Sequence, residues 1–575
     1  MTTPTPPGPV RVDVDASAVE GELTRLWTSI GYDEINWTYT PRGRDVLATL
    51  AGFGDGPYLI RSHYMFSSGT GMGLPHWGAG NVYHERADGT PWFDFQLLDR
   101  AYDTLVEMGH VPIVELGFTP RALVPAGAAQ RFAFQAGSPT QYSEYEAGWW
   151  SFPPKSLTRW AELVSATAEH YARRYGKARV ADWYWEVWNE PDIGYWRGSV
   201  EEFLQLYRVS AEAVRSVLPD ARVGGPATTG DLTPVAGLSA QGPDFLDSFL
   251  DFCTGQTGQS GQTVPLDFVT FHTKGAYFQP WRSYLPPGEL SAPQSPSMVK
   301  MLREIRHALR QVAARPGLAG IECLADECDA SVPAHHGRYD NANFAYRNTE
   351  YFPVFQCSLM KKLLDLDQAA DEGSVARLRA ATAWAFYIEG ERCFEGTRSL
   401  VTYGGIEKPV LNAYRLLSRL GGLRLRATSS AAWPVRLIDE ARSVPEEVDV
   451  LVAKSEDGAV TALVWRHDDD QHRGQQAGRP VRVTIRGLDA GPVLVRQWRI
   501  DSAHGNTYQA WQALGAPDYP SQAEIEQVAD AGRLRLFEPE RLELPSDGEV
   551  VLDLSLPLPS VSLLELIPAG EARGR

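Results

Sequence analysis

The chain has 575 residues, 43% of them hydrophobic, and a formal net charge of -18. That length exceeds one ordinary domain and supplies enough apolar material for substantial cores. The acidic balance argues against nucleic acid and against an anionic membrane surface as partners, since both need clustered Lys and Arg.

From about residue 20 to 425, short strand-like runs alternate with amphipathic helical stretches, as in a parallel sheet with crossover helices. Eight strands are expected: Ile30–Trp37, Tyr58–His63, Val111–Gly117, Trp183–Glu190, Arg222–Pro226, Phe268–Thr273, Gly320–Glu327 and Ala383–Ile388. Helices fit between most of them, for example Leu157–Tyr175, Val200–Leu218 and Ser297–Ala314. Eight such units match an enlarged α/β fold of the (β/α)8 TIM-barrel type. A doubly wound open sheet is the competitor, but no G-x-G-x-x-G phosphate loop follows the first strand. The barrel is expected over 20–425.

Beyond that point helices give way to short strands separated by polar turns. Val448–Ala453, Val460–Trp465, Val481–Ile485, Val493–Arg499, Leu534–Phe537, Val550–Leu554 and Ser562–Ile567 read as an antiparallel β-sandwich over 426–575. The segment 468–479 reads as an exposed polar loop. Residues 8–16 alternate in the same way and are expected to add a strand to that sandwich. Trp498 and Trp511 raise the question of a sugar-binding face there; buttressing the barrel is the plainer reading.

The five cysteines are scattered without zinc-site spacing, as in a reduced cytosolic protein. Met1–Pro7 has neither a basic start nor an apolar core, and no stretch is long enough to span a bilayer. A cytoplasmic, membrane-free protein is expected, and a homo-oligomer is compatible with the sequence.

Trp183-Tyr184-Trp185-Glu186-Val187-Trp188-Asn189-Glu190-Pro191 carries the chemistry. A barrel strand ending this way presents Asn189 and Glu190 at its C-terminal mouth. A carboxyl group among so many tryptophans is poorly solvated, which favours its neutral form and suits a general acid. Ile321-Glu322-Cys323-Leu324-Ala325-Asp326-Glu327 supplies a second carboxylate, Glu327, at the end of the seventh strand, across the mouth from the fourth. Asp326 should point to the opposite face, because side chains alternate along a strand. Two facing carboxyl groups are what glycosidic bond cleavage requires. Arg61, His63, Glu115, His272 and Lys274 also fall at strand ends and are candidate hydroxyl binders. Asn189 is placed to bond the sugar 2-hydroxyl. Adjacent His335 and His336 cannot easily chelate one ion and read as a surface loop. No Ser sits in a G-x-S-x-G elbow.

Taken together, Arg61-Ser62-His63-Tyr64-Met65-Phe66, Trp77-Gly78-Ala79-Gly80-Asn81-Val82-Tyr83, Gly89-Thr90-Pro91-Trp92-Phe93-Asp94-Phe95, Val114-Glu115-Leu116-Gly117-Phe118-Thr119-Pro120, Trp188-Asn189-Glu190-Pro191-Asp192, Phe271-His272-Thr273-Lys274-Gly275, Phe394-Glu395-Gly396 and Lys408-Pro409-Val410-Leu411-Asn412 resemble glycoside hydrolase family 39. The resemblance implies a retaining (β/α)8 glycosidase with Glu190 as acid/base and Glu327 as nucleophile. It adds Glu395 to the candidate substrate contacts and implies no metal or cofactor. The nucleophile segment Leu324-Ala325-Asp326-Glu327-Cys328-Asp329 departs from the family's usual Thr-Glu-aromatic pattern. The expected activity is exo-hydrolysis of an oligosaccharide or glycoside, with β-D-xylose the leading sugar. Iduronate, arabinofuranose and galactose-containing side chains stay open as alternatives. For a uronate, Lys274 with Arg61 would form the basic clamp. A carbohydrate-binding protein without catalysis is the competing class.

Overall fold

The computed structural model describes residues 8–69, 79–128, 149–230, 245–256, 263–278, 292–368 and 376–568. Trp77 and Gly78 of the motif above lie outside them. Eight parallel strands run side by side in chain order: β1 (Ser29–Tyr32), β2 (Leu59–Ser62), β3 (Val111–Leu116), β4 (Tyr184–Val187), β5 (Arg222–Thr228), β6 (Phe268–Lys274), β7 (Glu322–Asp329) and β8, which comes in two pieces, Arg377–Ala381 and Ala383–Trp384. The break in β8 closes the barrel. Its first piece pairs with β7 and its second with β1. At the joint, the Thr382 amide donates to Ala325 O and Thr382 O accepts from the Cys328 amide, both at 2.8 Å. Gly31 of β1 makes room for this seam, since a Cβ there would lie 2.2 Å from the Trp384 ring.

Each expected strand overlaps one of the eight: β1 to β4 are shorter, β5 and β6 run one or two residues further, β7 lies two residues later, and β8 begins at Arg377, ahead of the expected Ala383–Ile388. Inside the barrel, Leu59, Ile113, Tyr184, Phe268, Leu324 and Ala380 form one apolar layer. Two residues further along β2, β3, β4 and β7, the same alternation turns Arg61, Glu115, Glu186 and Asp326 inward. All four are fully buried. The barrel is therefore apolar at its base and charged directly above, below the mouth where (β/α)8 active sites lie.

The second sheet has nine strands. Val10–Glu22 joins it, antiparallel to Leu423–Ser429 and parallel to Gln476–Arg486. Val10, Val12, Val14 and Ala16 alternate into the sandwich core with Val450, Val464, Val483 and Leu556. Leu534–Phe537 does not form the expected strand. Pro539 interrupts with a missing donor, and the edge strand is Glu540–Leu544 instead. Helices Thr507–Ala513 and Gln522–Ala531 interrupt the β-region, the first not anticipated. The segment 468–479 is not uniformly exposed. Asp469 is 1% exposed and accepts from the amides of Val444 (2.8 Å) and Met298 (3.2 Å). Trp498 and Trp511 are buried, the first beneath Arg419, so neither offers a platform to a sugar. All five cysteines are buried free thiols. Among the described residues no helix is long and apolar enough to cross a membrane.

The two sheets meet across helix Tyr351–Gln368, and the contact includes a buried charge. Lys362 is fully buried, and its ammonium donates to Glu447 (2.8 Å), Asp449 (2.7 Å) and Trp433 O (2.6 Å). Removing one member of such a group strands the others in a low-dielectric interior, at about 3–5 kcal/mol. Lys362→Met should accordingly lower the thermal unfolding midpoint by several degrees. A midpoint equal to the parent's would show that this contact does not hold the two parts together.

Candidate active site

A cavity of about 390 Å³, counted to its open mouth, sits over the C-terminal ends of the strands. Glu190 and Glu327 both line it, as do His63, Asn189, Lys274 and Trp384. The turn after β4 is built for this. Trp188 (φ 74°) and Glu190 (φ 46°) both take left-handed backbone conformations, at a cost of about 1–3 kcal/mol each. The turn is held by hydrogen bonds from the Glu190 amide to Ala227 O (2.8 Å) and from the Trp188 indole to Tyr195 O (3.2 Å). The expected strand therefore stops at Val187, and the strained turn delivers the carboxyl group.

Glu327 is delivered by a different irregularity. Pairing between β6 and β7 slips by one residue between Ala325 and Glu327. This bulge leaves Asp326 unpaired and turns consecutive side chains to the same face. Alternation from Leu324 already turns Asp326 inward, and the bulge brings Glu327 to the same side, so Asp326 does not point away from Glu327 as unbroken alternation between the two would require.

One guanidinium organises the floor. Arg61 lies 2.6 Å from Glu186, 3.1 Å from Glu115, 3.1 Å from Asp326 and 3.2 Å from Glu327. It also donates to Asn189 Oδ1 at 2.9 Å. Burial opposes its charge, but these carboxylates raise its pKa further. His63 Nδ1 lies 2.6 Å from Glu115, and its Nε2 lies 3.3 Å from Glu327. Against the effect of burial, Glu115 and Glu327 raise its pKa to about 10, so it is an imidazolium. Lys274 Nζ lies 2.5 Å from Glu327 Oε2 and 2.6 Å from Asp329 Oδ2. Burial by itself would push the Glu327 carboxyl up. His272, Lys274 and His63 outweigh it and hold the group well below its ordinary value. Burial also holds His272 well below the imidazole range, so His272 is neutral and acts on Glu327 as a dipole. Lys274 and His63 supply the positive charge.

Among the described residues, no Lys or Arg pairs with Glu190. His272 Nδ1 lies 2.8 Å from Glu190 Oε1 and 3.6 Å from Glu327 Oε2, so one neutral imidazole nitrogen bridges the two acids. Burial, followed by the nearby charge of Glu327, raises Glu190 to about 8. Asp326 is likewise pushed well up by burial and by the charge of Glu186. At neutral pH the site thus holds one protonated carboxyl and one carboxylate, with oxygens within 4.8 Å of each other.

The profile of glycosyl hydrolases family 39 matches residues 37–539. The chain belongs to this family. It is 25% identical to a beta-xylosidase of Geobacillus stearothermophilus, covering 92% of both chains. It is also 25% identical to the human alpha-L-iduronidase, covering 72% of this chain and 60% of that one. Among solved structures, a monomeric beta-xylosidase from Caulobacter crescentus CB15 superposes with a TM-score of 0.73 at 22% identity, covering 97% of this chain and 99% of that one. The protein is a glycosidase with a TIM barrel and an accessory β-domain.

Within this family-39 barrel the expected site residues separate into two levels. Glu190, Glu327, Asn189, His63 and Lys274 line the cavity. Arg61, Glu115 and His272 have no exposed surface. They lie one layer below and bear on the site through other side chains, so the hydroxyl-binding role expected of them is replaced by a positioning one. Glu395 is not among the cavity-lining residues. Its carboxylate accepts from the Arg392 amide (2.8 Å) and pairs with the Arg392 side chain (3.2 Å), closing its own turn. His335, read as part of a surface loop, instead lines the cavity, 3.2 Å from Asp33. Trp384 and Arg398 also line it, and nothing in their local sequence marked them. Glu186 could have been found, because an ionisable residue inside an aromatic strand demands a partner.

Glu190, His272 and Glu327 could offer three ligand atoms to a metal ion. Lys274 and Arg61 already occupy the cation positions around Glu327, so a metal would have to displace a built-in ammonium. Arg61→Met removes the cation that four buried carboxylates share. It should abolish activity and lower the melting temperature more than Lys362→Met does. A variant that melts like the parent would show that the carboxylates do not depend on the guanidinium.

Proposed function

We propose that this glycosidase is a retaining exo-β-D-xylosidase, with Glu327 as nucleophile and Glu190 as acid/base. The observation that carries the reading is a pair of carboxyl groups with oxygens within 4.8 Å of each other, Glu327 set against Lys274 and Arg61 and Glu190 against His272. Retaining enzymes hold their carboxyl groups about 5–5.5 Å apart, whereas inverting enzymes leave about 6.5–9.5 Å for a water.

Glu327 attacks the anomeric carbon as the glycosidic C–O bond breaks, and the Glu190 proton passes to the leaving oxygen. Glu190, now a carboxylate, takes a proton from water as the water oxygen bonds to the anomeric carbon and the Glu327 ester opens. Asn189, fixed by Arg61, is placed to bond the 2-hydroxyl. Xylose is supported by the beta-xylosidases of Geobacillus stearothermophilus and Caldicellulosiruptor saccharolyticus, the latter 27% identical over 83% of this chain. The alternative is a uronate, in keeping with the alpha-L-iduronidase relatives. Arg61 cannot clamp it, being buried under carboxylates, but Lys274 and Arg398 both line the cavity. Both cations are already paired with Asp329, which favours a neutral sugar.

A panel of nitrophenyl glycosides tests this reading. Hydrolysis of the β-D-xyloside above the α-L-iduronide, α-L-arabinofuranoside and galactosides is expected; preference for another sugar would overturn the xylose assignment. Glu190→Ala should cut kcat/KM on xylobiose by about 10²–10⁴-fold, and far less on a dinitrophenyl xyloside. Equal losses would remove Glu190 as the acid. Glu327→Ala should be inactive, with azide restoring turnover and giving an inverted product.

The pH profile carries a sign. Glu190 is raised and must be protonated to act, so kcat/KM falls as pH rises through about 8. Glu327 is depressed and must be ionised, so activity is retained on the acid side through the ordinary carboxylate range. An alkaline limb near pH 5 would contradict the assignment.

A further inference from the structure

We propose that Lys274 is a further catalytic residue, whose ammonium stays against the Glu327 carboxyl through the covalent stage and speeds the hydrolytic half of the reaction. The proposal rests on the Glu190/Glu327 reading above and assigns a role that reading does not need.

The geometry fixes the ammonium from both sides. Nζ bridges Glu327 Oε2 (2.5 Å) and Asp329 Oδ2 (2.6 Å), two carboxylates of the same strand. Behind it, helix Met298–Ala313 holds the main chain of the same residue. The Lys274 amide donates to Glu304 Oε2 (3.1 Å), and Lys274 O accepts from Lys300 Nζ (2.7 Å). Lys300 and Glu304 pair at 3.0 Å, and Thr273 Oγ1 donates to Glu304 at 2.7 Å. An ion pair with its carboxylate buried thus holds both main-chain groups of the residue that carries this ammonium. Asp329 remains its counter-ion when Glu327 loses its charge, so the lysine has no reason to leave.

In the first step Glu327 becomes a neutral ester. Lys274 then faces Asp329 from β7, Arg398 from the segment after β8 and Glu190 from the turn after β4, while His63 and Asp192 also face Glu190. The repulsion from Glu327 that kept a proton on Glu190 is gone, and the attraction from Lys274 remains. Both changes favour Glu190 as a carboxylate, the form that takes a proton from water. As the ester opens, negative charge returns to Glu327 Oε atoms within reach of the waiting ammonium, which stabilises that transition state. The same cation stabilises Glu327 before attack, so it does not speed the first half.

Lys274→Met therefore separates the two halves. With a dinitrophenyl xyloside it should give a burst of about one phenolate per active site and a kcat lower by about 10²-fold. KM should fall with kcat, leaving kcat/KM within about one order of magnitude of the parent's. The acid limb of kcat should move to higher pH, because Glu190 in the intermediate loses the cation that favours its ionised form. Lys274→Arg, which keeps the charge, should return the limb toward the parent's position. If Lys274→Met does not fold, Lys274→Gln is read in the same way. Equal losses in kcat and kcat/KM with no burst and an unmoved pH limb would overturn the proposal. Azide rescue of Glu327→Ala is independent of Lys274, so failure of the underlying two-carboxylate reading would show itself there.

Discussion

A single guanidinium is the constraint on which the site depends. Arg61 stands in a layer of the barrel that buries Glu115, Glu186 and Asp326, with Glu327 above them. Together with Glu190 this gives five carboxyl groups close to three cations, Arg61, His63 and Lys274. Not all the acids can ionise in a poorly solvated interior. Position decides which ones keep their protons. Glu327 touches Arg61, Lys274 and His63 and is ionised. Glu190 lies against the neutral His272 imidazole, and burial raises its pKa to about 8. The proposed division of labour between nucleophile and acid follows from that placement.

The fold supplies the placement through departures from regularity. Strict alternation along β2, β3, β4 and β7 builds the buried charged layer. The two facing carboxyls of the cavity, Glu190 and Glu327, are the ones that escape alternation, one by a left-handed turn after β4 and one by a bulge in β7. The strain of the turn is tolerated because it is embedded in a buried aromatic wall, where Trp188 stands edge-on to Trp196 and Phe118. The accessory sheet takes its own strand from the N-terminal segment and is fastened to the barrel through the buried Lys362 group. Perturbations there should reach the site only through barrel stability.

Much of this was legible in the chain. Hydrophobic periodicity located seven barrel strands, each a short apolar run bounded by turn residues, and only the second piece of the eighth, whose first piece Arg377–Ala381 alternates Arg with apolar residues. Strand-end position singled out Glu190 and Glu327, and Val10–Val14 announced its sandwich pairing by alternation. What stayed hidden depends on contacts distant in sequence. Arg61, Glu115 and His272 look like cavity residues from their position at strand ends, but one layer of depth turns them into supports. Alternation counted from Glu327 sends Asp326 to the wrong face, because the bulge that turns Glu327 inward is set by pairing with β6. His335 and Arg398 enter the cavity from segments whose local pattern says only that they are polar. The Leu534–Phe537 run was read as a strand from its apolar content, while Pro539 and pairing with Gly491–Ile500 moved the strand onward.

The central claim is the unequal ionisation of two neighbouring carboxyl groups, and it can be observed without a substrate. Carbon-13 labelling of glutamate side chains, with Glu190→Gln and Glu327→Gln variants to assign the signals, gives their titration by NMR. The account predicts that Glu190 changes protonation near pH 8 while Glu327 stays ionised well below the ordinary carboxylate range. Two signals titrating together near their ordinary values would contradict it.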